Sequence, residues 1–125
     1  MKKILIAEDE RDIRELVSFT LKFAGFEVVA AGNGEEAVEV ARLEKPDLIL
    51  MDGRMPVLSG YDACRLIMAD DATRQTPVVF LSAKGHEAEI QEGLTAGAVE
   101  YLLKPFAPEE LIRRVNELLA QYACD

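Results

Sequence analysis

An open, doubly wound α/β fold around a five-stranded parallel sheet is what this sequence predicts, and three observations carry that expectation. Strand-type and helix-type runs alternate five times along 125 residues. The strand-type runs, among them KILIA, LILM and VVFLS, are continuous apolar stretches, the pattern of strands covered on both faces. Each strand–helix unit takes about 20–25 residues, enough for a parallel crossover connection with helices on both sides of the sheet. For such a layout the strand order 2-1-3-4-5 is the natural choice, by analogy with other open parallel sheets.

The elements follow in order. Lys3 to Ala7 is the first strand, and it runs into the acidic cluster Glu8, Asp9 and Glu10. Ile13, Leu16, Val17, Thr20 and Ala24 then recur at helical spacing and predict one buried stripe. Gly25 suits a left-handed cap, with Phe26 folding back onto the last turn. Glu27 to Ala31 is a short second strand. Asn33 and Glu36 have the spacing of a capping box, opening a helix that turns Ala37, Val38 and Ala41 inward and ends before Pro46.

The third strand, Leu48 to Met51, delivers one carboxylate, Asp52, and then breaks into Gly53, Pro56 and Gly60. Ser59 can cap the third helix, with Asp62 three residues on, and that helix runs to about Ala69. DDATRQT leads through Pro77 into the fourth strand. A fourth helix is expected within His86 to Ala96, diluted by Gly93 and Thr95. Gly97–Ala98 turns into a fifth strand, Val99 to Leu103. Pro108 suits the first position of the last helix, with Glu109 and Glu110 near its positive end. Leu111, Ile112, Val115, Leu118, Leu119 and Tyr122 form its buried stripe.

Composition narrows the function. Residues 1–125 read as a single domain, half of them hydrophobic, without repeats or linkers. A formal charge of -9, from 23 acidic and 14 basic residues, argues against a nucleic-acid surface. Cys64, Cys124 and the single His86 cannot assemble a zinc site; two free thiols suit a reducing compartment. No run approaches the roughly 20 apolar residues of a membrane helix, and Met1-Lys2-Lys3 leaves no room for a signal peptide. A cytoplasmic protein with no membrane partner is expected.

In an open parallel sheet, ligands sit at the C-terminal strand ends, and here those ends carry Glu8 and Asp9, Asp52, Ser82, and Lys104. Taken singly, each has an ordinary explanation: acids at a helix start, a turn aspartate, a strand-end serine, a solvated lysine. Together, three neighbouring carboxylates repel unless a cation joins them. Hard oxygen ligands suit Mg²⁺, which binds through one or two carboxylates and keeps several waters. Lys104 cannot neutralise three acids, so a divalent ion and an arriving phosphoryl group would complete the balance.

The pieces ILIAEDERDIREL, DLILMDGRMP with Gly60, VVFLSA and GAVEYLLKPF resemble the response-regulator receiver domain of two-component signalling, the CheY-like family, from Lys3 to about Tyr122. The resemblance implies a three-layer flavodoxin-like fold. It implies Asp52 as phosphoacceptor, taking a phosphoryl group by in-line attack from a histidine kinase or histidine phosphotransfer protein. Mg²⁺ (or Mn²⁺) would be held by the side chains of Asp9 and Asp52, the backbone carbonyl of Arg54, and Glu8 mainly through water. Lys104 would pair with a phosphoryl oxygen, preceding a cis bond to Pro105, and Ser82 would donate its hydroxyl. Tyr101 would turn inward when Ser82 moves, so that the surface of the fourth helix, fifth strand and fifth helix reports the change. Arg113, Arg114 and Glu117 mark the expected partner face. Such a domain is no dedicated enzyme, but catalyses its own phosphorylation and slow autodephosphorylation, as a monomer or a phosphorylation-dependent dimer.

Several positions depart from the family pattern. Glu8 stands where Asp is usual, Gly53 replaces an apolar residue and is expected to loosen its turn, and Ser59 stands where an acid or Asn is common. Arg54 and Lys84 occupy the positions that tune phosphate lifetime. Two cations there are expected to bind phosphoryl oxygens and hinder the attacking water. His86 reads as a solvated helix-start residue rather than a relay histidine. ADDATRQTPVV resembles loops of stand-alone and cyclase-linked receivers more than those of DNA-binding regulators, and a stand-alone or a trimmed regulator is expected. Three other functions fit less well. A flavin carrier needs a phosphate loop where EDERD stands; an aspartate-nucleophile phosphatase needs an acid where Arg54 stands; a docking-only receiver would lack the complete site.

Overall fold

The computed structural model describes residues 1–83 and 86–122, so the Lys84 and Cys124 expectations lie outside the described residues. The five strands are β1 (Lys3–Ala7), β2 (Glu27–Ala31), β3 (Leu48–Asp52), β4 (Val78–Ala83) and β5 (Glu100–Lys104). The helices are α1 (Arg11–Phe23), α2 (Gly34–Glu44), α3 (Gly60–Ala69), α4 (Glu87–Ala96) and α5 (Pro108–Tyr122). All pairings are parallel, as expected from the alternating pattern, and the order β2-β1-β3-β4-β5 is the one expected by analogy.

Strand side chains alternate between the two faces, and the core divides accordingly. Ile4, Ile6, Leu48, Leu50, Val79, Leu81 and Leu102 pack under α1 and α5. Leu5, Ala7, Ile49, Met51, Val78 and Phe80 pack under α2, α3 and α4. The central strands are therefore buried on both faces, which is why their sequences lack polar alternation.

Local signals act as the residues predict, with adjustments. Asn33 Oδ1 accepts from the Glu36 amide at 2.8 Å, while Glu36 Oε1 accepts from the Gly32 amide at 3.1 Å, one residue before the expected partner. Ser59 caps α3 through the Asp62 amide. Gly25 takes a left-handed φ of +98°, and the Phe26 amide bonds back to the Leu21 carbonyl at 3.1 Å. β5 starts one residue later than expected: Val99 bonds to Val78, but the ladder begins with Glu100 opposite Val79. Gly93 sits against the Phe80 ring, where a Cβ would collide, so packing requires the residue that dilutes α4.

The stripe expected on α1 is rotated. Val17, Thr20 and Leu21 are buried, Ile13 is half-buried and Ala24 exposed, and Leu16 is 59% exposed. Positions 13, 17, 20 and 21 define an equally good helical stripe, and docking on the sheet selects it over the one through Leu16. On α5, Ile112 and Tyr122 lie at the margin rather than in the core. Urea denaturation checks the rotation: Leu21→Ala is expected to cost about 2–5 kcal/mol, and Leu16→Ala no more than about 0.5 kcal/mol.

Candidate functional site

Asp52 ends β3, and the register places Ala7 beside Met51 and Ala83 beside Lys104. Glu8, Asp52 and Lys104 continue the alternation of Ile6, Leu50 and Leu102, so all three belong to the α1/α5 face at the C-terminal edge of the sheet. Asp9 follows at the bend before α1. One carboxylate oxygen from each of Glu8, Asp9 and Asp52 lies within 4.8 Å of the others. Lys104 Nζ is 3.4 Å from Glu8 Oε2, so the lysine rests on Glu8. The Lys104–Pro105 bond is cis, as the resemblance implies.

The electrostatics follow from crowding. Glu8 is only 1% exposed. Burial, then the charge of Asp52, pushes its carboxyl up to about 7, despite the opposing pull of Lys104. Asp52 is likewise raised, chiefly by burial with a contribution from Asp9, against the pull of Lys104 and the Arg54 amide. Among the described residues, one lysine set against three acids leaves excess negative charge. An all-oxygen donor set of this kind fits a hard divalent cation.

The surrounding loops supply fixtures that the sequence did not signal. Arg14, one turn into α1, donates to the Glu8 carbonyl at 2.7 Å and the Asp9 carbonyl at 3.4 Å, pinning the β1–α1 loop. Gly60 donates its amide to the Gly53 carbonyl at 2.9 Å; a Cβ there would strike the Asp52 carbonyl. Gly53, expected to loosen its turn, is packed against a neighbouring ring. The Tyr61 ring lies against it where a side chain would be, and packs on Phe80 with centroids 5.1 Å apart. Burial, then Glu89 and Glu92, pushes the Tyr61 phenol up to about 12.

Ser82 is buried near the end of β4; in the alternation it goes with Val78 and Phe80, and its hydroxyl makes no hydrogen bond to Asp52. Tyr101 is half-buried opposite Phe80. The Arg54 amide approaches Asp52 Oδ1 at 3.5 Å, but its guanidinium turns away to Glu89 on α4, at 2.6 Å. His86 precedes α4 without a side-chain cap bond and pairs with Glu89. Arg113 and Arg114 both bond to Glu117.

A family model for the response regulator receiver domain matches residues 4–116. The chain belongs to this family. Receiver domains of two-component response regulators accept phosphoryl groups and bind Mg²⁺ at an acidic pocket, and Glu8, Asp9 and Asp52 form an acidic cluster here. The phosphate regulon transcriptional regulatory protein PhoB of Pseudomonas aeruginosa is 42% identical over 118 residues, 94% of this chain and 52% of that one. The DNA-binding response regulator MtrA of Mycobacterium leprae is 36% identical, covering 94% and 51%. The chain thus spans about half the length of these curated relatives.

Among solved structures, the chemotaxis response regulator CheY4 of Vibrio cholerae superposes with a TM-score of 0.88 at 35% identity, over 94% of this chain and 98% of that one. The receiver domain of the Pseudomonas aeruginosa sensor histidine kinase PA1611, with a magnesium ion coordinated in its active-site cleft, gives 0.89 at 34%, over 96% and 98%. Transcriptional and DNA-binding regulators, a chemotaxis regulator and the receiver of a kinase all resemble the chain. No described helix is long and apolar enough to cross a membrane.

The raised carboxyl of Glu8 has a stability consequence. Between its ordinary value of 4.5 and about 7, the folded receiver keeps a proton that the unfolded chain has lost. Stability therefore falls as pH rises through that window and levels off above it. Asp52, raised in the same direction, adds to the slope. Thermal denaturation of the metal-free protein is expected to show this fall, and Glu8→Gln to flatten it; an unchanged slope in Glu8→Gln contradicts the assignment.

Proposed function

We propose that Asp52 is the phosphoacceptor of this receiver, with Lys104 and Ser82 receiving the phosphoryl oxygens. Glu8, Asp9, Asp52 and the Arg54 carbonyl would hold Mg²⁺ or Mn²⁺. The observation that carries the reading is the convergence of Asp52, Glu8, Asp9 and Lys104 at one end of the sheet. A carboxylate oxygen of Asp52 bonds to phosphorus while the donor's P–N bond breaks and its electron pair returns to the imidazole. The bound ion supplies positive charge to the phosphoryl oxygens and the attacking carboxylate. Lys104 exchanges its partner Glu8 for a phosphoryl oxygen, a charge-assisted bond of the stronger kind.

The donor is a phosphohistidine on a kinase or phosphotransfer protein. The side of the crevice formed by Lys104 and Pro105 continues into an apolar groove of about 190 Å³ between α1 and α5, lined by Ile13, Leu16, Phe106 and Leu111 among others. With Leu16 in it exposed at 59%, this face suits an apolar helical surface on the donor. Residues 1–125 act as one receiver unit in the cytoplasm, as a monomer or phosphorylation-dependent dimer. Its output is the α4–β5–α5 surface, where Tyr101, Phe106 and Arg114 line a groove of about 270 Å³. Ser82 and Tyr101 are its switch pair.

Acetyl phosphate with Mg²⁺ is expected to add one phosphoryl group by intact mass, none in Asp52→Asn or in excess chelator. Lys104→Ala is expected to slow the reaction on the order of a hundredfold. A phosphoryl group that persists in Asp52→Asn sinks the proposal.

A further inference from the structure

The loop after Asp52 is tied to α4 by an ion pair that the acceptor chemistry does not use. Arg54 Nε lies 2.6 Å from Glu89 Oε2, and Glu89 Oε1 lies 3.1 Å from His86 Nδ1. The Glu89 side chain is only 16% exposed and that of Arg54 78%, so the carboxylate is the anchored partner and the guanidinium the one with room to turn. Packing joins the same two elements: Tyr61 fills the space over Gly53, and Phe80 bridges Tyr61 to Gly93 of α4.

The Arg54 amide faces Asp52 Oδ1, so the stem of this side chain starts beside the proposed attacking carboxylate. Its guanidinium thus has two anionic partners within reach of one tether, Glu89 and a phosphoryl group on Asp52. A phosphoryl group adds charge and acceptor oxygens that the planar guanidinium fork matches well. Pairing with one partner opposes pairing with the other.

We propose that Glu89 is a positioning residue that sets the lifetime of the acyl phosphate by competing for Arg54. The inference rests on Asp52 being the acceptor. In hydrolysis a water oxygen bonds to phosphorus, and the P–O bond to Asp52 breaks with its electron pair returning to the carboxylate. The water proton leaves with inorganic phosphate. Arg54 on the phosphoryl oxygens obstructs the approach of that water; Arg54 held by Glu89 leaves it open. The same exchange removes a tie between the loop and α4, so the occupancy of Asp52 is felt at that helix.

The test compares the wild type, Glu89→Gln, Arg54→Ala and the double variant, each phosphorylated with acetyl phosphate and Mg²⁺, desalted into Mg²⁺ buffer, and followed by intact mass. Glu89→Gln is expected to lengthen the phosphate lifetime about two- to fivefold, the scale of a partly exposed ion pair, and Glu89→Asp to return it toward wild type. Arg54→Ala shortens it, and Glu89→Gln changes nothing in that background. Phosphorylated proteins with equal lifetimes, or an equal Glu89→Gln effect in both backgrounds, overturn this proposal alone. A wild type that takes no phosphoryl group overturns the acceptor reading and this proposal with it.

Discussion

Glu8 and Asp52 are carried by neighbouring parallel strands on the same side of the sheet, and Lys104, two strands from Asp52 and three from Glu8, serves both. Buried like charges disfavour the ionised form, which is why both carboxyls are raised. The arrangement is unfavourable for the folded state by itself. It persists because the apolar strands on either side hold the backbone of residues 8 and 52 in place regardless of what their side chains prefer. Such positions at functional sites commonly trade stability for a poised site. Here what is poised is an unmet demand for positive charge, and an incoming cation is the species whose arrival it favours.

Much of this was legible in the residues because the relevant signals are local. Continuous apolar runs mark the strands, Asn33 and Ser59 mark helix starts, and Gly25 and Pro108 mark an end and a beginning. A carboxylate or lysine directly after such a run must lie at the rim, so Glu8, Asp9, Asp52 and Lys104 follow from strand position alone. The stripe on α1 was harder, since Ile13 and Val17 are compatible with either Leu16 or Leu21 as a third member. Only the sheet beneath decides between two faces that differ by a modest rotation about the helix axis.

What sequence could not show are contacts between residues distant along the chain. Gly53 looks like a loosened turn until the ring of Tyr61 is found against it. Gly93 looks like a flaw in a helix until Phe80 is found beneath it. In both cases the glycine is one half of a pair whose other half is a buried aromatic, and neither half signals the pairing. Arg14 is a nearer case: a cation in the first turns of a helix is ordinarily solvated, and its bonds to the carbonyls of residues 8 and 9, six and five positions back, carry no signature in the sequence.

The two glycine–aromatic pairs share a location. Tyr61, Phe80 and Gly93, together with Arg54 and Glu89, connect the loop after Asp52 to α4, whereas β4 and β5 are joined to Asp52 through the ladder that pairs Asp52 with Leu81 and Ala83 with Lys104. A disturbance at Asp52 therefore has two physical routes outward. The strand route moves through a rigid hydrogen-bonded ladder in which small shifts are resisted. The loop route ends in an ion pair with one exposed member, which can exchange partners without repacking the core. In the proposed exchange Arg54 changes partner by side-chain rotation, so the α4 route answers a change in the crevice without displacing the strand ladder.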